Sequence, residues 1–472
     1  MKKFNKDKYL KKLKLKRFWQ NNSRYFYIGV PCILCGILGI YFAYSKFFVT
    51  QEQEVVKATV APFIRGDVVI NNYVNGQLVD DAPARGTGYK VDKIVCDNGA
   101  VGEWSGKDWG PIISNVTKRS KCNIYFLDVE KINIGNVAVP LDGYGLCPTV
   151  NADGTATVTE AESQYGYLCS MKDAYGTSYY YRGNITNNYV LFGGFYWRII
   201  RINGDGTVRV IYDGTSIHAN GESSSDRQIA STVFNNPSFG ITTSTYNAHV
   251  GYMYGATDAS TYAAAHANSK NSTIKTNIDN WYENNIKGTT NEQYIADNIF
   301  CNDRSLAGNN TGTGAGTSES YYRWYNMPWI SESYSKYNNK MMLTCPQKND
   351  AFTVNDTSKG NSALTYGVGL VTADEIVLAG GWNSSNSNYY LYSGTNYWTM
   401  SPGFFELSGF NRGAAFELIL SSTGSVSNGD VSNGNFFKGY GARPVFNLKS
   451  EVLAQGSGTV SDPYHIASQK QE

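Results

Sequence analysis

The feature that most constrains this chain is a run of twenty residues without a charged side chain, residues 25–44, with the sequence YFYIGVPCILCGILGIYFAY. A helix of that length spans about 30 Å, the thickness of a bilayer's hydrocarbon core. Ahead of it, residues 1–24 contain eight Lys and two Arg against one acid, Asp7. This asymmetry predicts a single-pass signal-anchor helix over 25–49, with the N-terminus in the cytoplasm and the chain beyond Thr50 outside the cell.

Two alternatives to this anchor stay open. A cleaved signal peptide has a similar apolar core, although this run is long for one and no small-x-small cleavage site precedes Lys46. A basic N-terminal arm for nucleic acid is the second alternative. Residues 25–472, however, contain 31 basic and 38 acidic residues, a net charge of −7. Such a surface gives no electrostatic reason for nucleic-acid binding, so we predict a membrane partner and no nucleic acid.

The composition predicts a β-rich exterior. The sequence has 36 Tyr and 48 Gly, and only 17% of its residues are charged. Tyr favours strands, whereas Gly, Asn and Ser favour turns, and about 420 exterior residues suffice for two or more domains. We predict the following division: a cytoplasmic basic segment 1–24, a transmembrane helix 25–49, a stalk 50–65, a small disulfide-bonded β module 66–128, a head domain 138–466 and a tail 467–472.

Six cysteines follow the apolar run, while Cys32 and Cys35 lie within it and are predicted to pack as small hydrophobic residues. Sequence alone permits fifteen pairings of the six. An even number in an oxidising compartment favours disulfides, and we predict the local ones. These pairs are Cys96–Cys122, Cys147–Cys169 and Cys301–Cys345. Zinc needs closely spaced Cys or His ligands; the four His are not clustered, so no metal is predicted.

The segment 89–126, YKVDKIVCDNGAVGEWSGKDWGPIISNVTKRSKCNIYF, resembles a small repeat module of bacterial surface proteins. Cys96, Trp104, Trp109 and Cys122 match the pattern of that module. The resemblance implies a β-sandwich-like spacer, crossed by a disulfide, with both Trp in or beside its core. Two exposed Trp that bind sugar are the alternative.

The head domain contains the most regular strand and helix signals. FYWRIIRI and TVRVIY flank the turn residues 203–206, NGDG, and predict a β-hairpin. A calcium loop is the alternative, but NGDG lacks the third acid and the bidentate Glu of an EF-hand. Further on, Ser272 or Thr273 is a suitable cap for a helix whose Ile274, Ile278 and Trp281 recur at helical spacing.

Five stretches of the head domain resemble known protein domains. These stretches are FGGFYWRIIRINGDG at 192–206, FCNDRS at 300–305, LTYGVGLVTADEIVLAGG at 364–381, YWTMSPG at 397–403 and GYGARPVFNLKS at 439–450. They resemble an uncharacterised bacterial surface-protein domain of unknown function. They are also similar to the C-type-lectin-like fold, in the branch of formylglycine-generating enzyme and the retroelement variable proteins. The resemblance implies an α+β C-type-lectin-like head domain.

Some residues of these stretches are predicted to form the scaffold. Asp374 and Glu375 open a short capped helix, and acid/base catalysis by this pair is the alternative. Arg443 is predicted to hold loop carbonyls or a carboxylate such as Asp374. The remaining scaffold residues are Trp197, Trp398 and Pro444.

The segments 382–397 and 403–440 combine Tyr, Phe, Asn, Ser and Gly, the composition of antibody paratopes, and predict a binding face. Ordinary low-charge loops are the alternative. The candidate binding residues are Trp382, Tyr389, Tyr390, Tyr392, Tyr397, Phe404, Phe405, Asn411, Arg412, Asn435, Phe436 and Tyr440.

These patterns favour a membrane-anchored bacterial cell-surface protein, adhesin- or receptor-like, whose exterior domain binds a protein or glycan ligand. An oxidase similar to formylglycine-generating enzyme is one alternative, and it needs a reactive Cys pair. A structural envelope protein is the other. No catalytic residue and no cofactor is assigned, because the sequence contains no Gly-x-Ser-x-Gly or His-Glu-x-x-His pattern.

Overall fold

The computed structural model forms two compact units. One comprises Met1–Pro83 and Val91–Leu127, and the other comprises Ala84–Lys90 and Asp128–Glu472. The residues that the structure describes are 10–18, 68–83, 89–105, 110–128, 131–134, 137–140, 147–162, 165–235, 245–326, 340–382, 384–408, 412–431, 439–453 and 455–466.

The first unit is a small β structure. Its helix α1 covers residues 10–18. Its strands are β1 (Val68–Val74), β2 (Gln77–Val79), β3 (Tyr89–Cys96), β4 (Val101–Ser105), β5 (Gly110–Ser114) and β6 (Ser120–Asp128). Four of them form a sheet in the order β2-β1-β6-β3, in which β1 and β6 are parallel, and β4 pairs with β5.

Strand β6 shows how this unit forms its core. Cys122, Ile124 and Phe126 are buried, because alternate residues of a strand point to the same face. The Trp104 ring packs edge-on against Phe126, with 5.4 Å between ring centroids. Trp104 is therefore half-buried beside the core, whereas Trp109 lies outside the described residues.

The second unit contains most of the strands and three helices. The strands are β7 (Lys131–Ile134), β8 (Val137–Pro140), β9 (Thr149–Val150), β10 (Ala156–Thr157), β11 (Gly166–Lys172), β12 (Thr177–Gly183), β13 (Tyr189–Phe192), β14 (Phe195–Ile202), β15 (Val208–Gly214), β16 (Ala230–Thr232), β17 (Met253–Tyr254), β18 (Lys270–Asn271), β19 (Phe300–Cys301), β20 (Ser320–Tyr321), β21 (Lys340–Met341), β22 (Ala351–Phe352), β23 (Val368–Gly369), β24 (Tyr397–Ser408), β25 (Arg412–Leu420), β26 (Val426–Asp430), β27 (Tyr440–Ala442) and β28 (Val445–Leu448). The helices are α2 (Tyr262–Ala265), α3 (Thr273–Asn285) and α4 (Ala373–Leu378).

A seven-stranded sheet is the largest element of this unit. Its order is β11-β12-β14-β15-β28-β23, and β13 adds to β14. The predicted hairpin is confirmed: β14 and β15 are antiparallel, with Ile202 opposite Val208. Gly206 has a φ of 85°, and the Asp205 carboxylate accepts from the Thr207 N–H at 3.0 Å, so NGDG acts as a turn.

Helix α3 packs its apolar face against this sheet, as its spacing predicts. Ser272 Oγ accepts from the Lys275 N–H at 3.2 Å and caps the helix. Ile274 and Ile278 are fully buried. The half-buried Trp281 ring lies 6.1 Å from that of Trp197 in β14, between centroids.

A six-stranded sheet lies in the C-terminal part of the unit. Its order is β16-β27-β24-β25-β26, and β20 adds to β24. Trp398 of β24 is fully buried, its Nε1 donates to the Thr232 carbonyl at 2.8 Å, and its ring lies 5.5 Å from that of Phe234. This ring joins the sheet to the main core.

The six cysteines of the described residues form three pairs at disulfide distance. They are the predicted local pairs, Cys96–Cys122, Cys147–Cys169 and Cys301–Cys345. Each pair lies within one compact unit.

The predicted fold class needs a correction. Among the described residues no helix is long and apolar enough to cross a membrane. The longest helix of the described residues, α3, has 13 residues and spans about 20 Å, short of a bilayer's hydrocarbon core. The β-rich part of the predicted fold class is confirmed. The single-pass membrane anchor is no longer part of that fold class. The apolar run 25–44, the predicted stalk 50–65 and the tail 467–472 lie outside the described residues.

The buried His249 makes stability depend on pH. Its Nδ1 accepts from the Tyr246 N–H at 3.1 Å, which requires an unprotonated Nδ1. Burial, aided by Lys270, lowers the pKa of His249 to about 4. An unfolded His has a pKa of about 6.5, so the unfolded chain takes up a proton first as the pH falls, and stability is lost between about pH 6.5 and 4.

Because of His249, we expect the free energy of unfolding to fall by about 3 kcal/mol as the pH is lowered from 6.5 to 4. Urea unfolding at a series of pH values should show a shallower slope for His249→Gln than for the parent chain. Thr290→Gln, at an exposed position without an ionisable side chain, is the control and should keep the parent slope. An unchanged slope for His249→Gln would contradict the assignment.

Candidate functional site

A charged cleft in the second unit is the candidate site. Its cavity volume is about 30 Å³, and it opens to solvent. Its ionisable side chains are four carboxylates and three guanidiniums: Asp173, Asp303, Asp374, Glu375, Arg201, Arg209 and Arg323.

Strands and a helix hold most of these side chains in position. Arg201 and Arg209 face each other across the β14–β15 hairpin. Asp374 and Glu375 lie in the first turn of α4, where the helix dipole favours carboxylates. Thr372 Oγ1 accepts from the Glu375 N–H at 3.1 Å, and Glu375 Oε2 accepts from the Thr372 N–H at 2.9 Å. This reciprocal capping box fixes both carboxylates at one end of the cleft.

Glu375 is the centre of one buried ion network. Its Oε1 accepts from Arg201 Nε at 3.0 Å, and its Oε2 accepts from Arg209 Nη2 at 3.3 Å. Arg201 Nη1 also donates to Asp173 Oδ2 at 2.9 Å. Burial acts to raise the pKa of Glu375, but Arg209 and Arg201 outweigh it and lower that pKa. Glu375 is therefore a fixed negative charge at neutral pH.

Arg323 is the centre of a second network. It begins a 3-10 helix, Arg323–Asn326, and lies between two carboxylates: its Nε donates to Asp303 and its Nη2 to Asp374, each at 2.5 Å. Trp324 Nε1 and the Met342 N–H also donate to Asp374, at 3.0 and 2.9 Å. Burial acts to lower the pKa of Arg323, but Asp374 and Asp303 outweigh it and raise that pKa, so the guanidinium stays charged.

One donor of Arg323 is unused. Its side chain is only 10% exposed, and its buried Nη1 has no hydrogen-bond partner among the described residues. A buried guanidinium nitrogen without an acceptor is unfavourable, and protein interiors satisfy nearly all such groups. Because Arg323 lines the cleft, a bound molecule with an acceptor atom has a site to occupy there.

The predicted binding face is wrong at its central Tyr residues. Tyr389, Tyr390 and Tyr397 are fully buried. Their hydroxyls donate to backbone carbonyls within the unit; that of Tyr397 bonds the Leu391 carbonyl at 3.0 Å. A ring closed off from solvent cannot meet a ligand on the surface, so these three residues are core.

The other candidates are dispersed. Trp382, Phe404 and Phe405 are buried, with exposed fractions of 9%, 8% and 0%, and are corrected to core positions for the same reason. Tyr392 and Tyr440 are half-buried. The remaining four cannot be placed, since Asn411, Asn435, Phe436 and the Arg412 side chain lie outside what the structure describes. The described members do not line the cleft.

The proposed partner of Arg443 is also corrected. Arg443 Nη2 donates to Asp213 at 2.8 Å, and its other nitrogens donate to the carbonyls of Tyr212 and Leu391. Asp374 bonds Arg323 instead. Arg443 does hold loop carbonyls, as the first part of that prediction states. Trp197 and Pro444, like Trp398, lie in the interior.

Sequence reasoning missed five charged residues of the site, Asp173, Arg201, Arg209, Asp303 and Arg323. Asp303 lies within the FCNDRS stretch, and Arg323 follows a Tyr pair in YYRW. Neither shows a spacing that points to the other or to Asp374, because the three are adjacent only in the folded chain. Among the described residues, no group of three His, Cys, Asp or Glu side chains has the arrangement of a metal site.

Comparison with known proteins finds no family model, no curated protein and no solved structure that matches this chain.

Proposed function

We propose that this is an exterior ligand-binding protein and that its binding site is the charged cleft. The observation that carries the proposal is the unpaired Nη1 of Arg323, a buried charged donor on the wall of an open cleft. Leaving such a donor unpaired costs about 1–3 kcal/mol, which an acceptor on a ligand can offset. The three disulfide pairs support an oxidising compartment outside the cytosol.

Binding is favoured over the oxidase alternative. That chemistry needs two free thiols, and all six cysteines of the described residues are paired. The carboxylates of the cleft are likewise held by guanidiniums and backbone N–H groups. Their arrangement stabilises a rigid, pre-formed wall, which is typical of a binding site.

A steric block of the cleft tests the proposal. Thr344 is exposed and lines the cleft, so Thr344→Trp narrows the entrance without removing any of the ion pairs. Ligand-observed NMR on the full chain, with a panel of monosaccharides and small amides, should give binders whose affinity falls at least about tenfold in this variant. The matched control is Thr290→Trp, at an exposed position away from the cleft, which should bind normally. Equal loss in both variants, or no binder at millimolar concentration, would contradict the proposal.

A further inference from the structure

Every carboxylate oxygen of the cleft already accepts a hydrogen bond from the protein. Asp173 Oδ1 accepts from the Tyr175 and Gly176 N–H groups at 2.7 and 2.9 Å, while its Oδ2 accepts from Arg201 and the Gly204 N–H.

The other three carboxylates are also engaged at both oxygens. Asp303 Oδ1 accepts from the Ser305 N–H at 3.1 Å and Oδ2 from Arg323. Both oxygens of Asp374 and of Glu375 have the donors described above. Nη1 of Arg323 is a buried donor of this wall without a hydrogen-bond partner among the described residues, so a ligand that pairs with it must present an acceptor.

The charge of the cleft decides which kind of acceptor fits. Three guanidiniums suggest an anion site, but four carboxylates outnumber them, and the formal charge of the lining is −1. Arg323 itself lies between two carboxylates, Asp303 and Asp374. A ligand carboxylate or phosphate at Nη1 would meet both of these charges in a partly desolvated site, where repulsion is weakly screened.

We infer that the cleft binds an uncharged ligand, whose hydroxyl or amide oxygen accepts from Nη1 of Arg323, and that it rejects the acidic counterpart of that ligand. The inference rests on the proposed function and names the ligand class of the same site. A neutral oxygen satisfies the donor without adding a third negative charge beside Arg323.

Matched pairs of ligands test the inference. Glucuronate has one carboxylate where glucose has a hydroxymethyl group, and succinate has two carboxylates where succinamide has two amides. The two pairs separate a hydroxyl from an amide acceptor. Titration of the full chain at low salt should show the neutral member binding at least about tenfold more tightly than the acid, whichever pair binds. Tighter binding of glucuronate or succinate overturns the inference.

A charge change at the entrance provides a second readout. Thr344→Lys raises the formal charge of the lining by one without touching the networks, and Thr344→Gln is the control of similar length. The ratio of the acid's affinity to the neutral ligand's affinity should rise about tenfold in the Lys variant relative to the Gln variant. Equal acid affinity in both variants contradicts the role of charge.

The outcomes also separate the inference from the proposed function. The NMR panel is therefore repeated with the acidic counterparts of its sugars and amides. If none of the four probes binds but another of these compounds binds the parent and loses affinity in Thr344→Trp, a neutral compound supports the inference and an anionic one overturns it. If nothing binds in the cleft, the proposed function fails and the inference fails with it.

Discussion

Asp213→Asn should lower the free energy of unfolding by about 3 to 5 kcal/mol, because it removes the counter-charge of two buried guanidiniums. Asp213 Oδ1 accepts from Arg227 Nη2 at 2.7 Å and from Arg443 Nη2 at 2.8 Å, and all three side chains have an exposed fraction of 0%. The variant keeps the shape of the side chain but leaves two positive charges without a carboxylate. Denaturant unfolding of the parent chain and the variant measures the difference.

The control is a charge removal at the surface. Glu283→Gln changes the pair of Glu283 with Lys287, whose side chains are 47% and 50% exposed. Water screens such a pair, so the melting temperature should stay close to that of the parent. If Asp213→Asn is as well tolerated as Glu283→Gln, the buried cluster does not stabilise the fold as its geometry indicates.

Tyr390→Ala and Trp398→Ala should each cost about 3 to 5 kcal/mol of stability, since both remove a large ring from a closed core. Both side chains have an exposed fraction of 0%. The Tyr390 ring also lies 5.5 Å from the guanidinium of Arg198, a buried charge that the cavity would leave less well surrounded. Chemical denaturation of the parent and the two variants measures both losses in the free energy of unfolding.

Tyr392→Ala is the matched comparison, because Tyr392 is half-buried two residues away and its hydroxyl bonds the Ser422 carbonyl at 3.3 Å. We expect a loss of about 1 kcal/mol there. If Tyr390→Ala has the same free energy of unfolding as the parent, Tyr390 does not lie in the core. The aromatic binding face would then again be a candidate site.

Elements with local signals could be predicted from the sequence. The β14–β15 hairpin is marked by alternation and by turn residues such as Gly206, and helix α3 by the cap at Ser272 and its Ile spacing. The three cysteine pairs are short loops whose closure is favoured by proximity along the chain. In each case the information lies within a few tens of residues.

The cleft has no such signal. Arg323 and Asp374 are 51 residues apart, and Arg201 and Glu375 are 174 apart, so their pairing depends on the assembled sheets. The amino-acid composition predicts an aromatic binding face, and it is misleading for a related reason. Tyr is suited both to paratopes and to cores where its hydroxyl reaches a carbonyl, and only long-range packing shows that Tyr390 is in a core.

The position of β28 in the seven-stranded sheet has a consequence for the order in which the chain is made. This strand lies between β15 and β23, and the neighbouring Arg443 bonds the Tyr212 carbonyl across 231 residues of sequence. During synthesis from the N-terminus, the edge of β15 that pairs with β28 therefore stays unpaired until residues 445–448 have been made. Exposed edges of this kind invite pairing with other chains, so the nascent protein depends on being shielded until its last strand arrives. Truncation before Val445 removes β28, and both β15 and β23 lose their hydrogen-bonded neighbour.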